Sequence, residues 1–200
     1  MSRDDVEIIK REVAFQGFFR VERYRLRHRL HAGGWSGELE REVFARGNAA
    51  AVLPYDPGRD AVVLIEQFRM GAFAAGEGPW LTEIVAGMID PGETAEAVVR
   101  REAMEEAGLV VGELVPISEH LSSAGGTSEN VSIFCGRVDA ANAGGIHGLG
   151  HEHEDIRVLV VPATEAFAMR RRCREVHDST TMTALLWLEL EREALRRRWR

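Results

Sequence analysis

The sequence predicts a mixed α/β (α+β) fold: a mixed β-sheet sandwiched between helices, with a small N-terminal antiparallel β-sheet region. Three observations point to it. Apolar runs of strand length outnumber the amphipathic runs of helix length. Turn-forming residues punctuate those runs at short intervals. The start of the chain is rich in arginine and poor in aliphatic bulk, which divides the sequence into residues 1–45 and 46–200.

In the first part, VEIIKREVAFQGFFRVERYRLRHRL alternates imperfectly and is interrupted at Gly17; GGW at 33–35 is a second turn, and ELEREVF reads as a strand. So little aliphatic material buries poorly alone, so this part should pack on the main domain or on a second subunit. AAAVLPYD (49–56) and AVVLIEQFR (61–69), separated by DPGRD, predict a hairpin of central strands. Residues 70–80 read as a glycine-containing loop, and LTEIVAGMI (81–89) as one strand closed by DPGE. Residues 94–107 predict a helix with Gly108 as its C-terminal cap. LVVGELVPISEHLSS reads as strand then loop, residues 130–140 as strand, 141–155 as a long charged loop and 156–163 as strand. TEAFAMRRRC predicts a short helix, and the stretch from Ser179 or Thr180 an amphipathic closing helix.

At 200 residues and 45% hydrophobic content, the chain can bury a core. Its formal charge of −7 argues against nonspecific nucleic-acid binding. Two cysteines exclude a disulfide scaffold, the N-terminus lacks the apolar core of a signal peptide, and no apolar run is long enough to span a membrane. A soluble cytoplasmic protein with neither nucleic-acid nor membrane partners is expected.

Glu102, Glu105 and Glu106 crowd onto one arc of the predicted helix, beside an apolar stripe of Ala95, Val99 and Ala103. Spacing alone leaves two readings, a solvated face or a cation site. Arg101 stands four residues before Glu105 and can pair with it, and a hard divalent ion such as Mg²⁺ would offset the remaining repulsion. Asp90, Pro91 and Gly92 make a tight reversal before the helix, with Glu93 and Thr94 placed to satisfy its free amides. In HGLGHEHED, His147, His151 and His153 raise a zinc reading, which the glycine-rich loop and its neighbouring carboxylates argue against.

Gly87, five residues, Glu93, seven residues, then Arg101-Glu102-Ala103-Met104-Glu105-Glu106-Ala107-Gly108-Leu109 resembles the Nudix box at every defining position. REVAFQGFFRVERYRLRHRL, LIEQFRMGAF, WLTEIVAGMIDPGE, GGTSENVSIFCGRVDA, HGLGHEHEDIRV and the LLWLEL helix are similar to bacterial ADP-ribose pyrophosphatases of the Nudix hydrolase family. The resemblance implies the Nudix fold and Mg²⁺-dependent hydrolysis of ADP-ribose to AMP and ribose 5-phosphate. It implies roughly two or three Mg²⁺ ions, replaceable by Mn²⁺, held by Glu102, Glu106, Glu154 and the carbonyl of Ala86. It makes Glu152 the general base, with Asp155 the alternative if the loop register differs, and gives Glu105 and Arg101 supporting catalytic roles. Toward substrate it assigns Arg69 to phosphate or ribose, Phe18 or Phe19 to adenine stacking, Glu83 to the terminal ribose, and Arg41 with Glu42 to the partner subunit's site. By residue type alone, Arg69 is equally a surface arginine and the two phenylalanines core aromatics.

A homodimer exchanging its N-terminal sheets is the assembly the resemblance implies. One departure stands out: Ala124 occupies the place, about fifteen residues beyond the box, where the family carries a proline. That leaves other nucleoside diphosphate sugars or dinucleotides open as substrates. The alternative outside enzymology is a non-catalytic nucleotide-sensing domain of the same fold, against which the intact Glu102, Glu105 and Glu106 argue.

Overall fold

The structure, a computed structural model, describes residues 2–199. It comprises two compact units: the residues up to Asn48 with Leu121–Asn130, and Ala49–His120 with the residues from Val131 onward.

In the first unit, β1 (Val6–Gln16), β2 (Arg20–His28) and β3 (Leu39–Ala45) form an antiparallel sheet in that order. Opposite charges meet across it. Arg23 lies opposite Glu42 and pairs with it at 2.9 Å, and Arg27 pairs with Glu7 at 2.7 Å. β1 is longer than the short strands expected. Its register with β2 shifts between Ile8 and Lys10 and again between Val13 and Phe15. Each shift moves subsequent side chains to the other face, which explains the imperfect alternation in the sequence. Val6, Ile8, Val13 and Phe15 are exposed. The segment Leu121–Asn130 joins β3 through the Phe44 N–H, which donates to the Gly126 carbonyl at 2.8 Å.

The second unit is built on β4 (Ala49–Asp56), β5 (Ala61–Phe68), β6 (Trp80–Glu83), β7 (Val85–Met88), β8 (Leu114–Leu121), β9 (Asn130–Arg137), β10 (Gly145–His147) and β11 (Ile156–Pro162). The sheet order is β10-β11-β5-β4-β9-β8, with β6 on β5 and β7 on β4. β4 and β9 run parallel, so the sheet is mixed as expected. β4 and β5 read as near-continuous apolar runs because both of their faces are covered. Among the described residues, four helices accompany the sheet: α1 (Met70–Ala74), α2 (Ala95–Ala107), α3 (Ala163–Arg172) and α4 (Ser179–Arg198). Val98, Val99, Ala103 and Ala107 of α2 pack on Ala50, Val52, Val63, Ile65 and Val85. Ala166 and Phe167 of α3, with Ala184, Leu185 and Leu188 of α4, cover the other face against Leu53, Tyr55, Val62 and Leu64. The two-residue side-chain period of β4 sorts Val52 and Leu53 to opposite cores.

The β4–β5 hairpin forms, but it pairs only at Tyr55–Val62 and Asp56–Ala61, beside its turn. Beyond that the strands fork. β6 takes the edge that β5 leaves, and β7 the edge that β4 leaves. The single strand expected over 81–89 is therefore two, broken at Ile84, whose N–H donates to Thr181 Oγ1 of α4 at 3.0 Å. A helix hydroxyl supplies the partner that a neighbouring strand would otherwise give. The segment expected as loop over 70–80 contains α1, and the one over 141–155 contains β10 and a 3₁₀ turn, Gly150–Glu152. α2 begins and ends as predicted: Thr94 Oγ1 accepts the Ala97 N–H at 3.2 Å, and Gly108 adopts φ 64°. Among the described residues no helix is long and apolar enough to cross a membrane.

Asp60 ties the hairpin turn to α4. It accepts the Tyr55 hydroxyl at 2.7 Å and pairs with Arg192 through both carboxylate oxygens. The Arg192 guanidinium holds its carboxyl below the ordinary value of 3.8. Asp60→Asn keeps a residue that tolerates the φ of 54° found there and removes the charge. It is expected to destabilise the protein by about 1–3 kcal/mol near neutral pH in denaturant titrations. The unfolded chain takes up the proton at higher pH than the folded one. The difference between variant and wild type should therefore be complete above the ordinary value and vanish as pH falls through the folded one.

Candidate active site

The fork leaves a cleft of about 280 Å³ between the far end of β5, β7, α2 and the loop before β11. Gln67 and Arg69 come from the β5 end, Ala86, Gly87 and Met88 from β7, and Arg101, Glu102, Glu105 and Glu106 from α2. Leu149, Glu152 and Glu154 complete it from the loop. A larger hollow of about 620 Å³ lies elsewhere, lined in part by Asp56, Gly112, Arg137 and Trp199. Its buried carboxylate, Asp56, is already committed to the N–H groups of Gly58, Arg59 and Ala140 and to the Arg59 guanidinium.

The acidic arc of α2 is turned toward β7, not toward solvent. Glu106 is only 3% exposed, and its Oε2 accepts the Ala86 N–H at 3.2 Å. Glu102 lies over Gly87 so closely that a Cβ there would stand 1.8 Å from its Oε1. Arg101 holds the arc together. Its Nη1 donates to Glu102 at 2.8 Å and to Glu105 at 3.0 Å, while Nε and Nη2 each reach Glu93 at 3.2 Å. The expected Arg101–Glu105 pair is thus one branch of a clamp on three glutamates, which pushes the guanidinium pKa up.

Burial dominates the electrostatics. It pushes the Glu106 carboxyl up to about 8; the Ala86 N–H and Arg69 oppose the shift, and Glu102 and Glu154 add to it. Burial also raises Glu102, against the pull of Arg101 and with further upward contributions from Glu105 and Glu154. Glu83 is likewise raised by burial, although Arg69 Nε donates to it at 2.6 Å. Glu83 is not part of the cleft wall; it holds Arg69, which is.

The loop is anchored to α2 by the Gly148 N–H, which donates to the Glu105 carbonyl at 3.3 Å. Glu154 Oε2 accepts the Leu149 N–H at 2.9 Å, and Glu152 stands exposed on the 3₁₀ turn, 3.5 Å from His151. Asp155 is exposed and does not line the cleft. None of the three loop histidines lines it either; His147 Nε2 instead sits 2.9 Å from the Gly144 carbonyl.

Among the described residues, no three His, Cys, Asp or Glu side chains converge tightly enough to enclose an ion. The donor chemistry nevertheless fits a hard divalent cation. Glu102 and Glu154 add to the raised proton affinity of Glu106, and Glu154 to that of Glu102, as carboxylates facing one low-dielectric site do. A strand residue points its N–H and C=O to the same edge, so the Ala86 carbonyl shares the side on which its N–H meets Glu106.

Phe18, Phe19 and Arg41 belong to the first unit, whereas all cleft residues belong to the second. Phe18 is 90% exposed at the hairpin tip, Phe19 packs edge-on against Phe44 at 4.9 Å, and the Arg41 guanidinium bonds the Glu40 carbonyl at 2.8 Å. Ala124 also lies in the first unit, in the segment that joins β3. The resemblance implies that the EQF span, Glu66 to Phe68, supplies a wall of the site; of these three Gln67 alone lines the cleft, and no role was assigned to it from the sequence.

A family model described as NUDIX domain matches residues 45–182. An ADP-ribose pyrophosphatase of Escherichia coli (strain K12) is 51% identical over 197 residues, covering 98% of this chain and 94% of that protein. A GDP-mannose pyrophosphatase of Citrobacter koseri is 41% identical over 153 residues, covering 74% of this chain and 77% of that protein. A solved structure described as an ADP compounds hydrolase superposes with a TM-score of 0.74 at 20% identity, over 98% of this chain and 99% of that one, and shares the fold.

Gly87→Ala tests the close approach of α2 to β7. The new methyl displaces the Glu102 carboxylate, a flexible group, so stability should fall by no more than about 1–3 kcal/mol. Activity should fall by about a hundredfold or more, because the acidic arc loses its geometry. A thermal melt beside a rate measurement separates the two effects.

Proposed function

The chain belongs to the NUDIX domain family, and on that premise we propose that it hydrolyses the diphosphate bond of ADP-ribose, releasing AMP and ribose 5-phosphate. The near-full-length likeness to an ADP-ribose pyrophosphatase carries the choice of substrate. The cleft supports the chemistry.

Members of this family generally use a divalent metal, commonly Mg²⁺. Glu102, Glu106, Glu154 and the Ala86 carbonyl would hold roughly two or three such ions, and Mn²⁺ would substitute. When bound, Mg²⁺ neutralises phosphate charge and makes the attacking water more acidic. Arg101 keeps Glu102 and Glu105 from turning away from the cleft. Arg69, whose Nε is engaged by Glu83, would offer its terminal nitrogens to a phosphate. Glu152, exposed on a turn at the cleft rim, accepts the proton of the attacking water, and the turn can close as substrate enters. Phe18, Phe19 and Arg41 fit the reading in which each N-terminal sheet completes the partner's site in a homodimer, and the exposed apolar residues of β1 fit an interface. The free thiols Cys135 and Cys173 suit the cytoplasm. The GDP-mannose pyrophosphatase relative favours a second reading, activity on other nucleoside diphosphate sugars, with which Ala124 is also compatible.

Purified protein with Mg²⁺ should release AMP from ADP-ribose, and chelation should stop it. Glu152→Gln should lower kcat by about 10²–10⁴-fold while leaving ADP-ribose binding intact; an unchanged rate would refute Glu152 as the base. Light scattering should give twice the 22.3 kDa chain mass, and a monomer would end the exchanged-sheet reading.

A further inference from the structure

β5 is an apolar strand that ends in polar chemistry. Its alternation sends Val63, Ile65 and Gln67 to the α2 face, where Val63 and Ile65 join the core. Gln67 continues that row and is only 7% exposed. An aliphatic residue would suit the position, because burying a carboxamide is unfavourable unless its hydrogen bonds are made. Here they are not: Gln67 Nε2 is buried with no acceptor. Buried donors of this kind are rare in native proteins, and each calls for a physical reason. Of the residues carrying such an orphaned atom, Gln67 alone among the described residues lines the cleft.

We propose that the Gln67 carboxamide is a substrate-binding group, its unpaired Nε2 turning into the cleft to donate to a non-bridging phosphoryl oxygen of the diphosphate; this rests on the hydrolase reading above. The cleft's other polar groups narrow the choice of ligand. Glu102, Glu105 and Glu106 repel an anion, and Arg101 is spent on three glutamates. That leaves Arg69 and Gln67 as the donors on the β5 wall. Arg69, in extended conformation just past the end of β5, follows Gln67 by two residues, about 7 Å along the chain. Such a pair can grip successive phosphoryl groups from the side opposite the carboxylates. Arg69 contributes charge; Gln67 contributes a directed bond from a neutral group, which the nearby carboxylates tolerate. The amide stays unsatisfied until the ligand arrives, so the interaction costs stability in the free protein and is recovered on binding.

The opposed signs make the test. Gln67→Met keeps the length and removes the donor. The free variant should melt at or above the wild-type temperature, by up to about 4 °C. Its kcat/KM for ADP-ribose should fall by about ten- to a hundredfold, as should its affinity for methylenediphosphonate, a non-hydrolysable diphosphate without a nucleoside. Gln67→Asn, whose amide is one carbon short, should lose activity without the gain in melting temperature. Turnover and diphosphate affinity of Gln67→Met within twofold of wild type would overturn the proposal. So would a melting temperature that drops along with activity, which marks a structural role. Weakened diphosphate binding in a protein whose wild type leaves ADP-ribose intact would uphold Gln67 and refute the substrate reading.

Discussion

Helix α2 can lie against β7 at the distance its carboxylates require only because Gly87 has no side chain. Glu102 occupies the space a Cβ would take, and one turn later Glu106 reaches the Ala86 amide. The approach is driven from the other side of the helix, where Val98, Val99, Ala103 and Ala107 enter the core. Each buried valine contributes roughly 1.5–3 kcal/mol. Against that, raising the Glu106 carboxyl from 4.5 to about 8 costs on the order of 3 kcal/mol at pH 7, a penalty that grows as pH climbs between those values. Two or three apolar side chains therefore outweigh the acidic cluster they carry with them.

Both faces of the site are braced by arginine, in different ways. Arg101 is committed inward, to Glu93, Glu102 and Glu105, and so converts three mutually repelling groups into one framework. Arg69 is only half committed, with Glu83 taking its Nε and leaving its remaining donors toward the cleft. The first arrangement gives rigidity, the second gives orientation with capacity to bind. The loop carrying Glu152 and Glu154 is held more lightly, by a few backbone hydrogen bonds and a short edge strand.

Much of this was legible from spacing. The helix over 94–107, its Thr94 and Gly108 caps, the shared arc of Glu102, Glu105 and Glu106, and the pairing of Arg101 with Glu105 all depend on residues within a few turns of one another. The split at Ile84 was not legible, because it is settled by Thr181, almost a hundred residues away. α1 was hidden in a stretch of glycine and alanine without periodicity, and β10 exists only because β11 offers it an edge. For Gln67 the resemblance implied a place in the site wall and nothing more, since sequence cannot say that its amide would be buried without an acceptor.

By itself, then, the sequence determined the local chemistry: which helix bears the carboxylates, which glycine precedes it, and which family pattern they spell. Local determination works there because helix periodicity and capping act over a handful of residues. Only the tertiary structure decided that the acidic arc faces a strand and not water, that Glu106 rather than Glu105 is the buried acid, and that a forked hairpin opens beside them. Those outcomes depend on which surfaces of distant elements are brought together. Desolvation, the force that sets the character of these groups, exists only once they are.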